Sequence, residues 1–147
     1  MRRTVSICVL AAAFAGCGGD DKLSTDEYRS KLREICAASD KKTDQVSEPT
    51  RATPEAIANY LQRLRDVNAD TIEEVEELEP PDELADAHER ALDANREGRE
   101  KVDAVIEELE GGGDPTQVLT EARKDLEDAS QAAKQAGKDL GVPECGD

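Results

Sequence analysis

Few side chains in this sequence could do chemistry: one histidine, His88, four cysteines at positions 8, 17, 36 and 145, and 35 Asp and Glu set against 19 Lys and Arg. A lone imidazole can ligate a metal, move a proton, or sit in a core with its ring nitrogens hydrogen-bonded. A carboxylate-bridged metal centre in a helical bundle needs a Glu-x-x-His pair on each of two helices. Three positions before His88 stands Ala85, and there is no second histidine. The acidic run Glu73-Glu74-Val75-Glu76-Glu77 lacks the glycine-bearing loop of a calcium hand. No metal or cofactor is expected. Catalytic signatures are missing too: there is no Gly-x-Ser-x-Gly, no phosphate-binding glycine loop and no zinc-protease histidine pair. Gly111-Gly112-Gly113 does precede a helical stretch, but Asp114 would repel a phosphate there. The chain reads as a protein without catalysis, with His88 a core side chain.

The formal charge of −16 excludes nucleic acid as a partner, because binding phosphates requires clustered Lys and Arg to displace counterions. The same charge rules out attachment to an anionic membrane through a basic amphipathic face. Any membrane attachment must come from elsewhere in the chain.

The N-terminus offers one. Arg2 and Arg3 form a charged start, and Val5 to Ala15 form a short apolar run, the pattern of a secretory signal and too short to span a bilayer. The run ends in Phe14-Ala15-Gly16-Cys17, which resembles the bacterial lipobox, with Phe14 in place of the usual aliphatic residue. That resemblance implies cleavage between Gly16 and Cys17 and a thioether-linked diacylglycerol on Cys17. The alternative is a plain secretory signal cut near the alanines. Thr4, Val5 and Ser6 match a twin-arginine export signal poorly, so export by the general route is expected.

Loss of residues 1–16 removes Arg2 and Arg3 and no acid, leaving 17 basic against 35 acidic side chains in 131 residues. Cys8 goes with it. If Cys17 carries lipid, Cys36 and Cys145 remain, outside the cytoplasm, where disulfides persist. A Cys36 to Cys145 bridge is the expectation, and two unpaired buried thiols the alternative. Two cysteines so far apart with one histidine between them make no zinc site.

Composition alone leaves folding open. Ile, Leu and Val make up only 22 of the 131 residues, a share typical of disordered chains, whereas Ala, Glu, Lys, Leu and Arg total 63, close to the half typical of long helices. Caps and periodicity favour the helices. Ser24 and Glu27 form a capping box, followed by Tyr28, Leu32, Ile35, Ser39 and Val46 on one face until Glu48-Pro49. Thr53-Pro54-Glu55 opens a second helix with the stripe Ile57, Leu61, Leu64, Asn68, Thr71, Val75 and Leu78, stopped by Pro80-Pro81. From Asp82 a third carries Leu84, His88, Ala91, Asn95, Gly98, Val102, Val105 and Leu109 to the glycine break. Asp114-Pro115-Thr116-Gln117 resembles another capping box, and Leu119, Ala122, Leu126, Ala129, Ala133, Ala136 and Leu140 follow at spacings of three and four.

The expected organisation is a signal peptide over 1–16, a lipidated cysteine and flexible tether over 17–23, and a helical domain over 24–147 with helices near 24–46, 54–79, 82–110 and 115–138. Long helices with short connections give an all-α, antiparallel up-down-up-down four-helix bundle. A three-helix bundle is the alternative if the first helix is held loosely. Gly141-Val142-Pro143-Glu144-Cys145 cannot continue a helix and is expected to fold back along the first helix to Cys36. Asn68, Thr71, Asn95 and Gly98 interrupt the apolar stripes. They form either a hydrogen-bonded layer that sets register or, with His88, the lining of a small polar ligand cavity.

Taken together, the lipobox, the two domain cysteines, Leu78-Glu79-Pro80-Pro81-Asp82-Glu83-Leu84 with His88 four residues on, and the Leu140-to-Gly146 ending resemble small helical lipoproteins of high-GC Gram-positive bacteria. The resemblance implies anchoring on the outer face of the cytoplasmic membrane and a helical fold, and it implies no activity. Two readings of function follow: a binding or interaction module for a basic envelope protein or cationic ligand, or a structural acidic surface lipoprotein with no specific ligand.

Overall fold

The computed structural model describes residues 22–146. The signal peptide and Cys17 lie outside the described residues. Four helices follow in order, α1 Thr25–Thr43, α2 Pro54–Glu76, α3 Ala85–Glu110 and α4 Pro115–Leu140, with short 3-10 turns at Asp82–Leu84 and Pro143–Gly146. There is no strand among the described residues, and the fold is the all-α four-helix bundle.

The caps act where the sequence places them. Ser24 accepts the backbone N–H of Glu27, whose carboxylate accepts the N–H of Ser24, so both halves of the box are present. Thr53 caps α2 ahead of Pro54, accepting from Ala56 N. Asp114 accepts from Gln117 N at 3.0 Å, but the Gln117 amide donates forward to Glu121 and leaves the second half of that box unmade. Both α3 and α4 end in a left-handed glycine. Gly112 (φ 88°) lets Gly113 N reach Glu108 O, and Gly141 (φ 77°) lets Val142 N reach Gly137 O.

Four boundaries differ from the sequence expectation. Helix α1 stops at Thr43 rather than near 46, because Val46 N bonds back to Thr43 O in a tighter turn at residues with weak helix propensity. At the end of α2 the chain tightens in the same way, Leu78 N bonding to Val75 O, before the prolines. Asp82–Leu84 is a 3-10 turn because Pro81 precedes it and no side chain caps α3. At the other end α4 runs two residues past 138, to Leu140.

Consecutive helices are antiparallel neighbours, with α3 packed on both α2 and α4. Cross-helix pairs fix the α2/α3 alignment: Gln62 with Glu110, Arg65 with Asp103, and Arg96 with Glu76. The core has two parts. At one end Tyr28, Leu32, Leu84, Ala87, Ala91, Ala136, Leu140 and Val142 meet from α1, α3, α4 and the turns beside them, and α2 adds the partly buried Val75. At the other end Ala58, Val105, Ile106, Leu109 and Val118 meet from α2, α3 and α4 alone. Helix α1 is shorter than the others and leans on α2 and the C-terminal turn, so only one end of the molecule is four helices thick.

The buried faces are broader than single stripes. Ala58 and Ile72 are the buried residues of α2, one position away from the expected row, because α2 packs against α1 on one side and α3 on the other. In α4, Val118 is fully buried and Leu119 is the exposed large apolar residue of the described chain, the reverse of the expectation.

Candidate functional site

The sequence-derived candidates separate into three places. Cys36 and Cys145 form a disulfide with Cα atoms 5.4 Å apart, across a sequence separation of 109. The tail is tied down around it. Arg29 Nε donates to Leu140 O at 2.9 Å, and Arg33 donates to Glu144 Oε1 at 2.6 Å and to Gly141 O at 3.3 Å. These contacts join the first and last elements and close the bundle where the tail runs beside α1.

His88 sits at the four-helix end. Its Nδ1 is 2.6 Å from the Tyr28 hydroxyl, and the rings meet edge-on with centroids 5.9 Å apart. Tyr28 is 0% exposed and His88 8%. Burial holds the imidazole below its usual pKa against the pull of Glu76 and Glu89, and burial raises the phenol to about 12. The neutral ring that burial favours pairs Nδ1 with the hydroxyl, as acceptor or donor according to its tautomer. This pair links α1 to α3.

Asn68 and Asn95 lie elsewhere, at the waist between the two cores. There two adjoining hollows, of about 140 and 300 Å3, share Asn68, Asn95 and Ala133, and His88 lines neither. Thr71 Oγ1 donates to Val67 O in its own helix and lies 2.8 Å from Ser39 Oγ, tying α2 to α1. Asn95 Nδ2 donates to Ala91 O within α3, and no hydrogen bond joins the two asparagines among the described residues. Helices α3 and α4 come close here, since a Cβ on Gly98 would meet that of Ala129 at 3.6 Å. The hollows exist because Ala129, Ala133 and Gly98 have no side chain long enough to fill them.

Among the described residues no group of three or more His, Cys, Asp or Glu could hold a metal ion, and no helix is long and apolar enough to cross a membrane. Reading the sequence missed two features: Tyr28 as the partner of His88, and Arg65 and Arg99 at the edge of the larger hollow. Compared with protein-family models, with curated proteins and with solved structures, the chain matches none.

Proposed function

We propose that the chain is a lipid-anchored protein of the cell envelope, held on the outer face of the cytoplasmic membrane by a diacylglycerol thioether on Cys17. Its acidic helical bundle acts as a binding or interaction module, without catalysis, for a basic envelope protein or cationic ligand. The observation that carries this reading is the Cys36–Cys145 disulfide. A bridge over that separation belongs to an oxidising compartment, which is where a chain headed by an export signal would go. With that pair engaged, Cys17 is the one cysteine beyond the signal peptide left for lipid. Residues 18–21 would then connect the lipid to the bundle, which already holds Lys22 through Asp82 and Leu23 through the core around Tyr28.

Surface charge supports a cationic partner. Much of the available Lys and Arg is already committed to ion pairs within the bundle, as at Arg33–Glu144, Lys42–Glu74, Arg65–Asp103 and Arg96–Glu76. The excess carboxylates face solvent and set up a negative field.

Fractionation of cells expressing the Cys17→Ser chain tests the anchor. The wild type should partition into the membrane fraction and the variant should leave it. Equal partitioning would remove the lipid from the account. Capture from detergent-solubilised envelope then tests the module, with the expectation of a saturable partner whose binding weakens as salt is raised.

A further inference from the structure

We infer that the larger waist hollow is a binding site for a small single-chain amphiphile with one negative charge, of the medium-chain carboxylate type. This inference is independent of the membrane anchor and of the cationic partner proposed above, since it concerns an open groove between α2, α3 and α4 and not the carboxylate-rich surface.

Shape comes first. The hollow of about 300 Å3 lies between α2, α3 and α4, in the half of the molecule where α1 does not complete the bundle. Leu61, Leu64, Val102 and Leu126 give it apolar walls, and most of its lining surface is apolar. The volume is at the lower end of small-molecule pockets, which are apolar with a few placed polar groups. Leu61 and Asn68 are two helical turns apart on α2, so the trough is about 10 Å long.

Charge decides what kind of head group would sit there. Two arginines, Arg65 and Arg99, line the hollow in a chain that is strongly acidic overall. Arg65 is engaged by Asp66 and Asp103 at 2.8 and 3.0 Å. Arg99, half-buried, makes no hydrogen bond or ion pair among the described residues. A half-buried cation with no anion of its own, beside an apolar trough, suits a carboxylate attached to a short hydrocarbon. The amides of Asn68 and Asn95 supply further polar atoms at the far end, where the smaller hollow begins.

The experiment is a proton–nitrogen correlation spectrum of the full chain carrying Cys17→Ala, disulfide intact and free of detergent, titrated with sodium octanoate. Octanol and octyltrimethylammonium are titrated in parallel. Octanoate should give saturable shifts at the amides of Asn68, Asn95, Gly98 and Ala133, and should bind more tightly than octanol. Arg99→Gln should weaken octanoate about tenfold, the worth of one charged hydrogen bond, and leave octanol unchanged. Ala133→Leu, which fills the hollow, should abolish both, and if that variant does not fold the Arg99→Gln comparison carries the test. The inference is overturned if shifts at these amides do not saturate, if octyltrimethylammonium binds there as tightly as octanoate, or if Arg99→Gln binds octanoate like the wild type.

Discussion

The hydroxyl of Tyr28 and Nδ1 of His88 lie 2.6 Å apart, joining α1 to α3 across a sequence separation of 60 in the most enclosed part of the bundle. Each ring satisfies the other's buried polar atom. Tyr28→Phe would leave Nδ1 without a partner and should cost about 1–3 kcal/mol of unfolding free energy, measured by urea denaturation. His88→Ala would add a cavity to an unpaired phenol and should cost more. A near-neutral Tyr28→Phe would show that the bond does little to hold α1.

The same pair sets two pH windows. His88 has its pKa lowered on folding, so the neutral ring is favoured, and the stability it contributes is full above the unfolded value near 6.5 and declines as pH falls below it. Tyr28 is raised to about 12, so its contribution is full below 10 and lost between pH 10 and 12. The alkaline loss should be on the order of 2 kcal/mol and should vanish in Tyr28→Phe. The carboxylates of Glu27, Asp82 and Glu144, lowered by hydrogen bonds, add their loss only below about pH 4.5, which keeps the histidine window distinct.

Cys36–Cys145 encloses most of the folded chain, and the thin apolar core increases its importance. In the chain-entropy model a loop of this size is worth about 4–5 kcal/mol. Reduction, or the Cys36→Ser and Cys145→Ser pair, should lower the urea midpoint accordingly. Hydrogen exchange should rise first in α1, which depends on the tail, while the α2, α3 and α4 end stays protected. Uniform loss of protection would contradict the division into a four-helix and a three-helix end.

Two glycines should resist substitution for different reasons. A Cβ on Gly113 would fall 2.8 Å from Val118 Cγ2 and 2.9 Å from Glu108 O, so Gly113→Ala must disturb either the buried valine or the turn. Gly141 combines a φ of 77° with an approach of 2.7 Å to Arg29 Nε, so Gly141→Ala should loosen the Arg29 contact as well as strain the turn. Each should cost about 1–3 kcal/mol by thermal denaturation. Gly112→Ala meets no atom within 4 Å and should cost less, from its φ of 88° alone.

Local chemistry was the most legible part of the sequence. Ser24 with Glu27, Thr53 before Pro54, Asp114 before Pro115, and the glycines after α3 and α4 mark helix ends by interactions within a few residues. The cysteine pairing could be read as well, because the lipobox resemblance left only two candidates. Features that depend on packing could not. Val118 is four residues before Ala122 and Leu119 is three, both allowed on one helical face, so periodicity had no means of choosing the buried one. The Tyr28–His88 bond joins residues far apart in sequence. Asn68 and Asn95 stood out as polar breaks in apolar stripes, but only the fold shows that they line a hollow away from His88. Arg99 carried no signal, because Asp103 one turn on is the expected partner and only the placed helices show that carboxylate taken by Arg65.

The central claim is a lipid-tethered bundle stapled by its disulfide, and intact mass spectrometry of the protein purified from its native membrane tests both parts at once. The account predicts a chain beginning at Cys17 plus a diacylglycerol, with two thiols open to alkylation only after reduction. An unlipidated chain with freely alkylated Cys36 and Cys145 would contradict it.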